Sequence, residues 1–122
     1  MNISIFGYRD IHIDPIEIIT GFSQAKVNLA TVDHIVSGGA TGADSIAEKI
    51  AKEHNISTMI FKPDWNKHGR SAGVVRNTEI VKNSDIGFAI VNKPLPESKG
   101  TYDTYKKSQR AGKPVHLLVI TK

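Results

Sequence analysis

Short apolar runs and longer amphipathic stretches alternate along the chain. The short runs predict five strands, within residues 3–6, 33–39, 57–61, 85–91 and 115–120. The amphipathic stretches predict four helices, at residues 14–27, 43–55, 72–83 and 99–112. Strands that are mostly apolar on both faces, alternating with helices, are typical of a parallel sheet covered on both sides. We therefore expect an α/β Rossmann-like three-layer sandwich with a mostly parallel five-stranded sheet and the first strand at its centre.

Signals at the helix ends support this order of elements. The first predicted helix opens with Asp14 as N-cap, Pro15 at the first helical position and Glu17 three residues after the cap. The longest stretches without a predicted element, residues 62–71 and 92–98, both follow strands. Because ligands of open α/β sheets bind beyond the carboxyl ends of the strands, a site is expected there.

The stretch SGGATGAD concentrates three glycines between a predicted strand and a predicted helix. Gly38, Gly39 and Gly42 would let an anion approach the free N–H groups of that helix start. Thr41 and Asp44 have the spacing of a capping box, which a simple tight turn would also explain. The glycine spacing is neither that of the dinucleotide fingerprint nor that of a P-loop. A phosphate cradle and a tight turn therefore both fit the stretch.

A second glycine-opened helix start follows the fourth predicted strand. There, Lys99, Gly100 and Thr101 supply a cation, a flexible backbone and a hydroxyl group. Arg76 and Asn77 fall near the start of the preceding helix, and a guanidinium group suits bidentate contacts with phosphate. Two such helix starts at one edge of a sheet predict a binding site for a polyanion, although each cation taken alone is compatible with an ordinary surface position.

Composition narrows the function further. The 122 residues suit one domain, residues 1–122, and the net charge of +4 favours an anionic partner, although solubility alone would also explain it. Cysteine is absent, no apolar run is long enough to span a bilayer, and the first residues do not resemble a signal peptide. We expect a cytoplasmic protein that makes no contact with a membrane. A homodimer or a larger homo-oligomer is compatible with the sequence.

Other chemistries have weaker support. The five histidines show no spacing suited to metal ligation, so no metal site and no cofactor are predicted. Asp10, Asp44 and Asp64 fall near strand ends and are compatible with a magnesium ion held through a ligand's phosphates. Trp65 is a candidate for stacking on a nucleotide base, with the closing of a loop as the alternative.

Several segments in this order resemble the SLOG superfamily, the Rossmann-like group that includes the LOG phosphoribohydrolases and the DprA DNA-processing proteins. They are IFGYRD, SGGATGADSIAEKIA, FKPDWNKHGRSAGVVRN, SDIGFAI and SKGTYDTYKKSQRAGKPV, and they resemble most the small YspA-like branch of bacteria and phages. The resemblance implies a nucleotide or nucleotide-derived ligand, such as a signalling nucleotide or an ADP-ribose-like molecule. By motif, the ligand-binding candidates are Gly7, Arg9, Gly38, Gly39, Gly42, Arg76, Asn77, Gly100 and Thr101.

The sequence departs from the LOG pattern at the residue that catalysis needs. LOG enzymes carry a glutamate that works with an arginine to cleave an N-glycosidic bond, and Thr104 stands at the glutamate position here. Arg76 matches the arginine, while Asp103 lies one residue before the expected carboxylate, about 100° away around a helix. Arg76 and Asp103 are therefore only weak catalytic candidates. The primary expectation is a sensor or sequestering protein, with LOG-like hydrolysis as the alternative.

A second alternative is binding of single-stranded DNA, as in the DprA branch. The last predicted helix is basic and has interleaved aromatic residues, a combination that suits stacking and backbone contacts. A solvated helix face explains the same pattern. The residues concerned are Tyr102, Tyr105, Lys106, Lys107, Arg110 and Lys113.

Overall fold

Strands and helices alternate in the computed structural model, which describes residues 1–8, 15–39, 42–97 and 99–119. The strands are β1 (Asn2–Gly7), β2 (His34–Ser37), β3 (Ser57–Ile60), β4 (Ile86–Val91) and β5 (Val115–Val119). The α-helices are α1 (Pro15–Gln24), α2 (Ala43–Glu53), α3 (Trp65–His68), α4 (Ala72–Lys82) and α5 (Lys99–Arg110). Short 3₁₀ turns occupy Leu29–Thr31, Gly69–Ser71 and Leu95–Glu97. The predicted N-cap of the first helix, Asp14, lies outside the described residues.

The five strands form one parallel sheet in the order β3-β2-β1-β4-β5. The first strand is central, as predicted: Ile3 pairs with Ile35 of β2 on one side and Ile5 pairs with Phe88 of β4 on the other. The chain moves outward from β1 to β3 and then crosses to β4 on the opposite side. The point where the strand order reverses therefore lies beside β1, which is where open α/β sheets form a ligand crevice.

The hydrophobic core lies between the sheet and the first two helices. Ile18 and Phe22 of α1 and Ile50 of α2 join alternate residues of β1 in one buried cluster. Phe88 of β4 is fully buried there, and its ring meets the Phe22 ring edge-on with centroids 4.6 Å apart. Helices α4 and α5 pack against each other, and α5 also contacts β4 and β5. The α/β sandwich predicted from the sequence is thus confirmed.

The helices leave the two edge strands of the sheet partly exposed. Residues of β1 and β4 are buried almost throughout, whereas most residues of β3 are exposed. At the other edge, Leu117 and Val119 of β5 are 44% and 66% exposed. An edge strand has a neighbour on one side only. Its polar residues, such as Ser57 and Thr58 in β3, are consistent with that position.

Residues 62–71, predicted to be irregular, contain the short helix α3 and a 3₁₀ turn. Asp64 caps α3, because its side-chain oxygen accepts a hydrogen bond from the Lys67 backbone N–H at 3.1 Å. The first helix is shorter than predicted, since the chain turns away at Lys26, whose φ is 60°. Among the described helices, none combines the length and the apolar character that crossing a membrane would require.

Candidate ligand-binding pocket

A pocket of about 240 Å³ lies at the carboxyl ends of β1 and β2, beside the beginnings of α2 and α5. It therefore occupies the crevice expected where the strand order reverses. Its described lining combines small backbone-exposing residues, polar side chains and an apolar wall. These residues are Phe6, Gly7, Tyr8, Gly38, Asp44, Arg76, Asn77, Ile80, Gly100, Thr101 and Thr104.

Two of the lining glycines are required by the close approach of neighbouring groups. A Cβ added to Gly7 would collide with the carbonyl oxygen of Ile90 and would lie 3.0 Å from the Cβ of Ala43. A Cβ added to Gly38 would collide with Nη1 of Arg76 and would lie 3.2 Å from Oδ2 of Asp44. Because Gly38 has no side chain, the Arg76 guanidinium group and the Asp44 carboxylate group both lie close to the loop after β2.

Arg76 reaches this loop from α4. Its Nη1 donates a hydrogen bond to the Gly38 carbonyl oxygen at 2.9 Å, and its Nε donates to Oδ1 of Asn77, also at 2.9 Å. Asn77 is only 5% exposed, so its side chain is held within the protein. These two hydrogen bonds orient the guanidinium plane, and they place a permanent positive charge in the lining of the pocket.

The Asn77 amide links Arg76 to α5. Its Nδ2 donates to Oδ2 of Asp103 at 3.1 Å and to the Gly100 carbonyl oxygen at 3.4 Å. The same Asp103 oxygen accepts a hydrogen bond from Nζ of Lys107 at 2.8 Å. Asp103 does not line the pocket. It contacts the groups behind Arg76, a position that does not favour direct contact with a ligand.

The first turn of α5 forms another part of the wall. Gly100 has no atom within 4 Å of an added Cβ, so its backbone borders open space. Thr101 and Thr104 are buried side chains that line the pocket, and the Thr104 hydroxyl donates to the Gly100 carbonyl oxygen at 3.2 Å. The start of a helix carries a partial positive charge and N–H groups without helical partners, so this side of the pocket favours an anion.

Among the described lining residues, Asp44 is the carboxylate. It lies in the first turn of α2 and is 9% exposed. The N-cap of α2 is Gly42, with a φ of 72° and no side-chain capping hydrogen bond. Thr41, the other residue of the predicted capping box, lies outside the described residues. Asp44 therefore forms part of the pocket wall, a position that the prediction of a capping role did not include.

Tyr8 forms part of the opposite, apolar wall and is almost fully buried. Its hydroxyl lies close to the carbonyl oxygens of Lys93 and Pro94, at 3.0 Å and 2.8 Å, and donates to this backbone segment. Burial raises the pKa of the Tyr8 phenol, and the negative charge of Glu97 raises it further. The hydroxyl therefore stays protonated at neutral pH and fixes the loop after β4.

The structure brings most of the predicted site residues together but leaves others apart. Gly7, Gly38, Arg76, Asn77, Gly100 and Thr101 share the pocket wall, whereas Gly39, Gly42, Trp65 and Lys99 are not among its described lining residues. Arg9 lies outside the described residues. Gly39 has a φ of 71° and packs near Ile60 and Lys62, and the Trp65 side chain is 57% exposed on α3.

Sequence reasoning missed the apolar members of the pocket, Phe6, Tyr8 and Ile80. Phe6 and Tyr8 flank Gly7 at the end of the central strand, so their position beside the crevice was a usable signal. Ile80 follows Arg76 by four residues on α4, one helical turn along the same face. An apolar residue at such a spacing is also expected of a packed helix, which is why it did not stand out.

Three of the cations that suggested nucleic-acid binding have contacts within the chain. Lys107 donates to the Val74 carbonyl oxygen at 2.8 Å as well as to Asp103, and Lys113 donates to the Val81 carbonyl oxygen. Lys106 lies over the Tyr102 ring, 4.5 Å from its centroid. Partners of this kind reduce what the basic helix face offers to a phosphate backbone.

Among the described residues, no group of three histidine, aspartate or glutamate side chains lies close enough together to hold a metal ion. Asp64 serves as the cap of α3, and Asp10 lies outside the described residues. The expectation of a magnesium ion held through a ligand's phosphates stays a prediction, with Asp44 as the candidate carboxylate in the pocket.

Comparison with known proteins gives two matches. The model of a family described as "YspA, cpYpsA-related SLOG family" matches residues 18–68, which include β2, α2 and α3. Gene 61 protein of Mycobacterium phage D29 is 39% identical over 87 residues, an alignment that covers 66% of this chain and 67% of the phage protein. No solved structure matches the chain significantly.

Proposed function

Because this chain belongs to the YspA, cpYpsA-related SLOG family, we propose that its pocket binds a nucleotide or a nucleotide-derived ligand, as a sensor or sequestering protein. The observation that carries the proposal is the convergence of Arg76 with the glycine-opened start of α5 at one pocket beside the central strand. Family membership suggests a nucleotide-related ligand in general terms. The pocket geometry supports a more specific arrangement of that ligand.

The phosphate group belongs on the side formed by Arg76, Gly100 and Thr101. An oriented guanidinium group and a helix start both favour negative charge, and Gly100 leaves room for close approach to the backbone. A buried threonine hydroxyl adds a further hydrogen-bonding group. The apolar wall of Phe6, Tyr8 and Ile80 then suits the ribose or a base edge.

The pocket formed by the described residues is small for a whole nucleotide. Its volume of about 240 Å³ is below the range of roughly 300–1,000 Å³ typical of pockets that bury a drug-sized ligand. The pocket therefore holds the phosphate and part of the sugar, while the rest of the ligand extends outward. Affinity then depends mainly on the phosphate, and selectivity between bases is weak.

Calorimetry with adenosine monophosphate and adenosine tests this arrangement, alongside native mass spectrometry of the protein as purified. We expect a retained or added phosphorylated nucleotide to bind and adenosine to bind at least about tenfold more weakly, since a hydrogen bond to a charged group contributes about 1.5–3 kcal/mol. Equal binding of both compounds would contradict the assigned phosphate side. A folded protein that binds neither adenosine monophosphate nor ADP-ribose would contradict the function.

A second candidate function, N-glycosidic hydrolysis, rests on Asp44. This buried carboxylate shares the pocket with Arg76, whereas Thr104 lines the pocket at the position where LOG enzymes carry their glutamate. A hydroxyl group is a poor substitute for a carboxylate in general acid–base catalysis, which contributes roughly 10²–10⁴-fold to a rate. Among the described residues that line the pocket, Asp44 is the one carboxylate, so we assign any hydrolysis to it.

Chromatography of adenine released from adenosine monophosphate separates the two candidates. Under the binding proposal, release is slow or absent while binding is measurable. Rapid release that disappears in both Asp44→Asn and Arg76→Ala would establish the hydrolase instead. The matched control is Glu79→Gln, which removes a carboxylate charge from a half-exposed position of α4 outside the pocket.

A further inference from the structure

A continuous line of hydrogen bonds runs from α5 to the pocket through buried or half-buried side chains. Lys107 and Asn77 both donate to Oδ2 of Asp103, and Arg76 donates to Oδ1 of Asn77. Arg76 then donates from Nη1 to the Gly38 carbonyl oxygen at the pocket wall. We infer that Asp103 is a positioning residue, which holds Arg76 in its ligand-facing orientation by orienting the Asn77 amide.

The chemistry of the neighbours dictates how the Asn77 amide faces. Arginine has only donors on its side chain and an ionised aspartate has only acceptors. The Asn77 oxygen must therefore face Arg76, and its NH₂ group must face Asp103. A flipped amide would oppose donor to donor at Arg76 and acceptor to acceptor at Asp103. Asp103, at the shorter distance, and the Gly100 carbonyl oxygen thus favour the one orientation in which Asn77 can accept from Nε of Arg76.

Asp103 is itself held in place. Lys107 lies one helical turn beyond it on α5, and its ammonium group contacts Oδ2 at 2.8 Å while also donating to the Val74 carbonyl oxygen of α4. This arrangement ties the carboxylate to both helices. The side chains of Asp103 and Lys107 are 27% and 19% exposed, which limits screening of their interaction by solvent.

Asp103 therefore has a different role from the carboxylate of the LOG enzymes. The residue lies near the position of the missing LOG carboxylate in the sequence, yet it is not part of the described pocket wall. It acts on the ligand only through Asn77 and Arg76. The inference rests on the proposed function only where it assigns the ligand's phosphate to Arg76.

Hydrogen exchange of the Arg76 Nε–H group, followed by NMR, tests the positioning role without any ligand. The Arg76 Nε–H signal is identified by its absence from the spectrum of the Arg76→Lys protein. We expect Asp103→Ala to accelerate exchange several-fold, because the Asn77 NH₂ group loses its nearer acceptor and keeps only the Gly100 carbonyl oxygen at 3.4 Å. We expect Asp103→Asn, whose Oδ1 can still accept from Asn77, to retain most of the protection. Glu79→Ala is the matched control, since it removes a carboxylate from the same helix pair outside this line of contacts.

Binding of adenosine monophosphate provides the second readout. Asp103→Ala should weaken it by about tenfold, within the range for a hydrogen bond to a charged group. In an Asn77→Ala background, the same change should have an effect of less than about twofold, because non-additivity is expected of residues that act through one another. If Asp103→Ala is poorly folded, Asp103→Leu removes the same acceptor with a side chain of similar size.

The outcomes are separable. Unchanged Arg76 exchange in a folded Asp103→Ala or Asp103→Leu protein overturns the inference, and so does a full further loss of affinity in the Asn77→Ala background. If the wild-type protein does not bind adenosine monophosphate, the proposed ligand is contradicted while the exchange measurement still decides whether Asp103 positions Arg76.

Discussion

Arg76 and Gly38 are 38 residues apart in the chain, yet Nη1 of Arg76 donates a hydrogen bond to the Gly38 carbonyl oxygen at 2.9 Å. The contact joins α4 to the loop after β2 across the pocket. It requires a glycine, because a Cβ at position 38 would occupy the space of the guanidinium group. One backbone carbonyl and one missing side chain therefore set the position of the cation that we assign to the ligand's phosphate.

Arg76→Ala should weaken binding of adenosine monophosphate by about 10- to 100-fold, since a charge-assisted hydrogen bond contributes about 1.5–3 kcal/mol. Arg76→Lys should recover only part of the loss, because lysine cannot reproduce the planar fork of donors. Calorimetry measures both affinities. Arg110→Ala is the matched control, as Arg110 is exposed on α5 outside this pocket. An affinity unchanged in Arg76→Ala would remove Arg76 from the site.

Gly38→Ala should retain the fold but displace the Arg76 guanidinium group. The clash falls on the end of a flexible side chain, and on Asp44 at 3.2 Å, so both can shift without rebuilding the backbone. We expect weaker binding of adenosine monophosphate and faster exchange of the Arg76 Nε–H group. In Gly7→Ala the clash falls on the Ile90 backbone carbonyl, so the main effect should be a lower melting temperature. The reverse pattern would contradict this account of the two glycines.

Gly100→Ala and Gly73→Ala form a matched pair. Both glycines lie in helices near their beginnings, and neither has an atom within 4 Å of an added Cβ. Alanine should therefore leave the free energy of unfolding unchanged or raise it by up to about 1 kcal/mol in each case. Only Gly100 lines the pocket, so only Gly100→Ala should reduce affinity for adenosine monophosphate. Equal affinities in the two variants would place the phosphate elsewhere.

Tyr8 should make stability fall at high pH. Its pKa is raised in the folded state by burial and then by Glu97, so the folded protein holds this proton more tightly than the unfolded chain does. The stabilisation is complete below the ordinary tyrosine pKa of 10.0 and is lost as the pH rises above it through the folded-state pKa. Urea unfolding at a series of pH values measures the effect.

Tyr8→Phe is the control for this titration. It should flatten the high-pH decline, and it should lower the free energy of unfolding at neutral pH by about 0.5–1.5 kcal/mol through loss of the hydroxyl donor. The same decline in Tyr8→Phe as in the wild-type protein would assign the pH dependence to other groups.

Much of the site followed from sequence, because it depends on local rules. A glycine cluster after an apolar strand, or a glycine at a helix start, implies exposed backbone N–H groups whatever the rest of the fold is. That reasoning grouped Gly38, Gly100 and Thr101, which line the same pocket beyond the carboxyl ends of the strands. It also included Gly39, whose positive φ serves the turn and whose neighbours are Ile60 and Lys62, not the pocket residues.

The sequence by itself determined the order of strands and helices and the central place of β1, since hydrophobic period and right-handed crossovers leave few arrangements for such a chain. Only the tertiary structure decided the partners of the polar side chains. Asp103 and Asp44 look alike in the sequence, yet one lies behind Arg76 against Asn77 and Lys107 and the other lines the pocket. Asp103 lies one residue before Thr104, which lines the pocket, and one helical position points about 100° around the axis. Which carboxylate faces a ligand therefore depends on how the helices pack, and packing joins residues that are far apart in the chain.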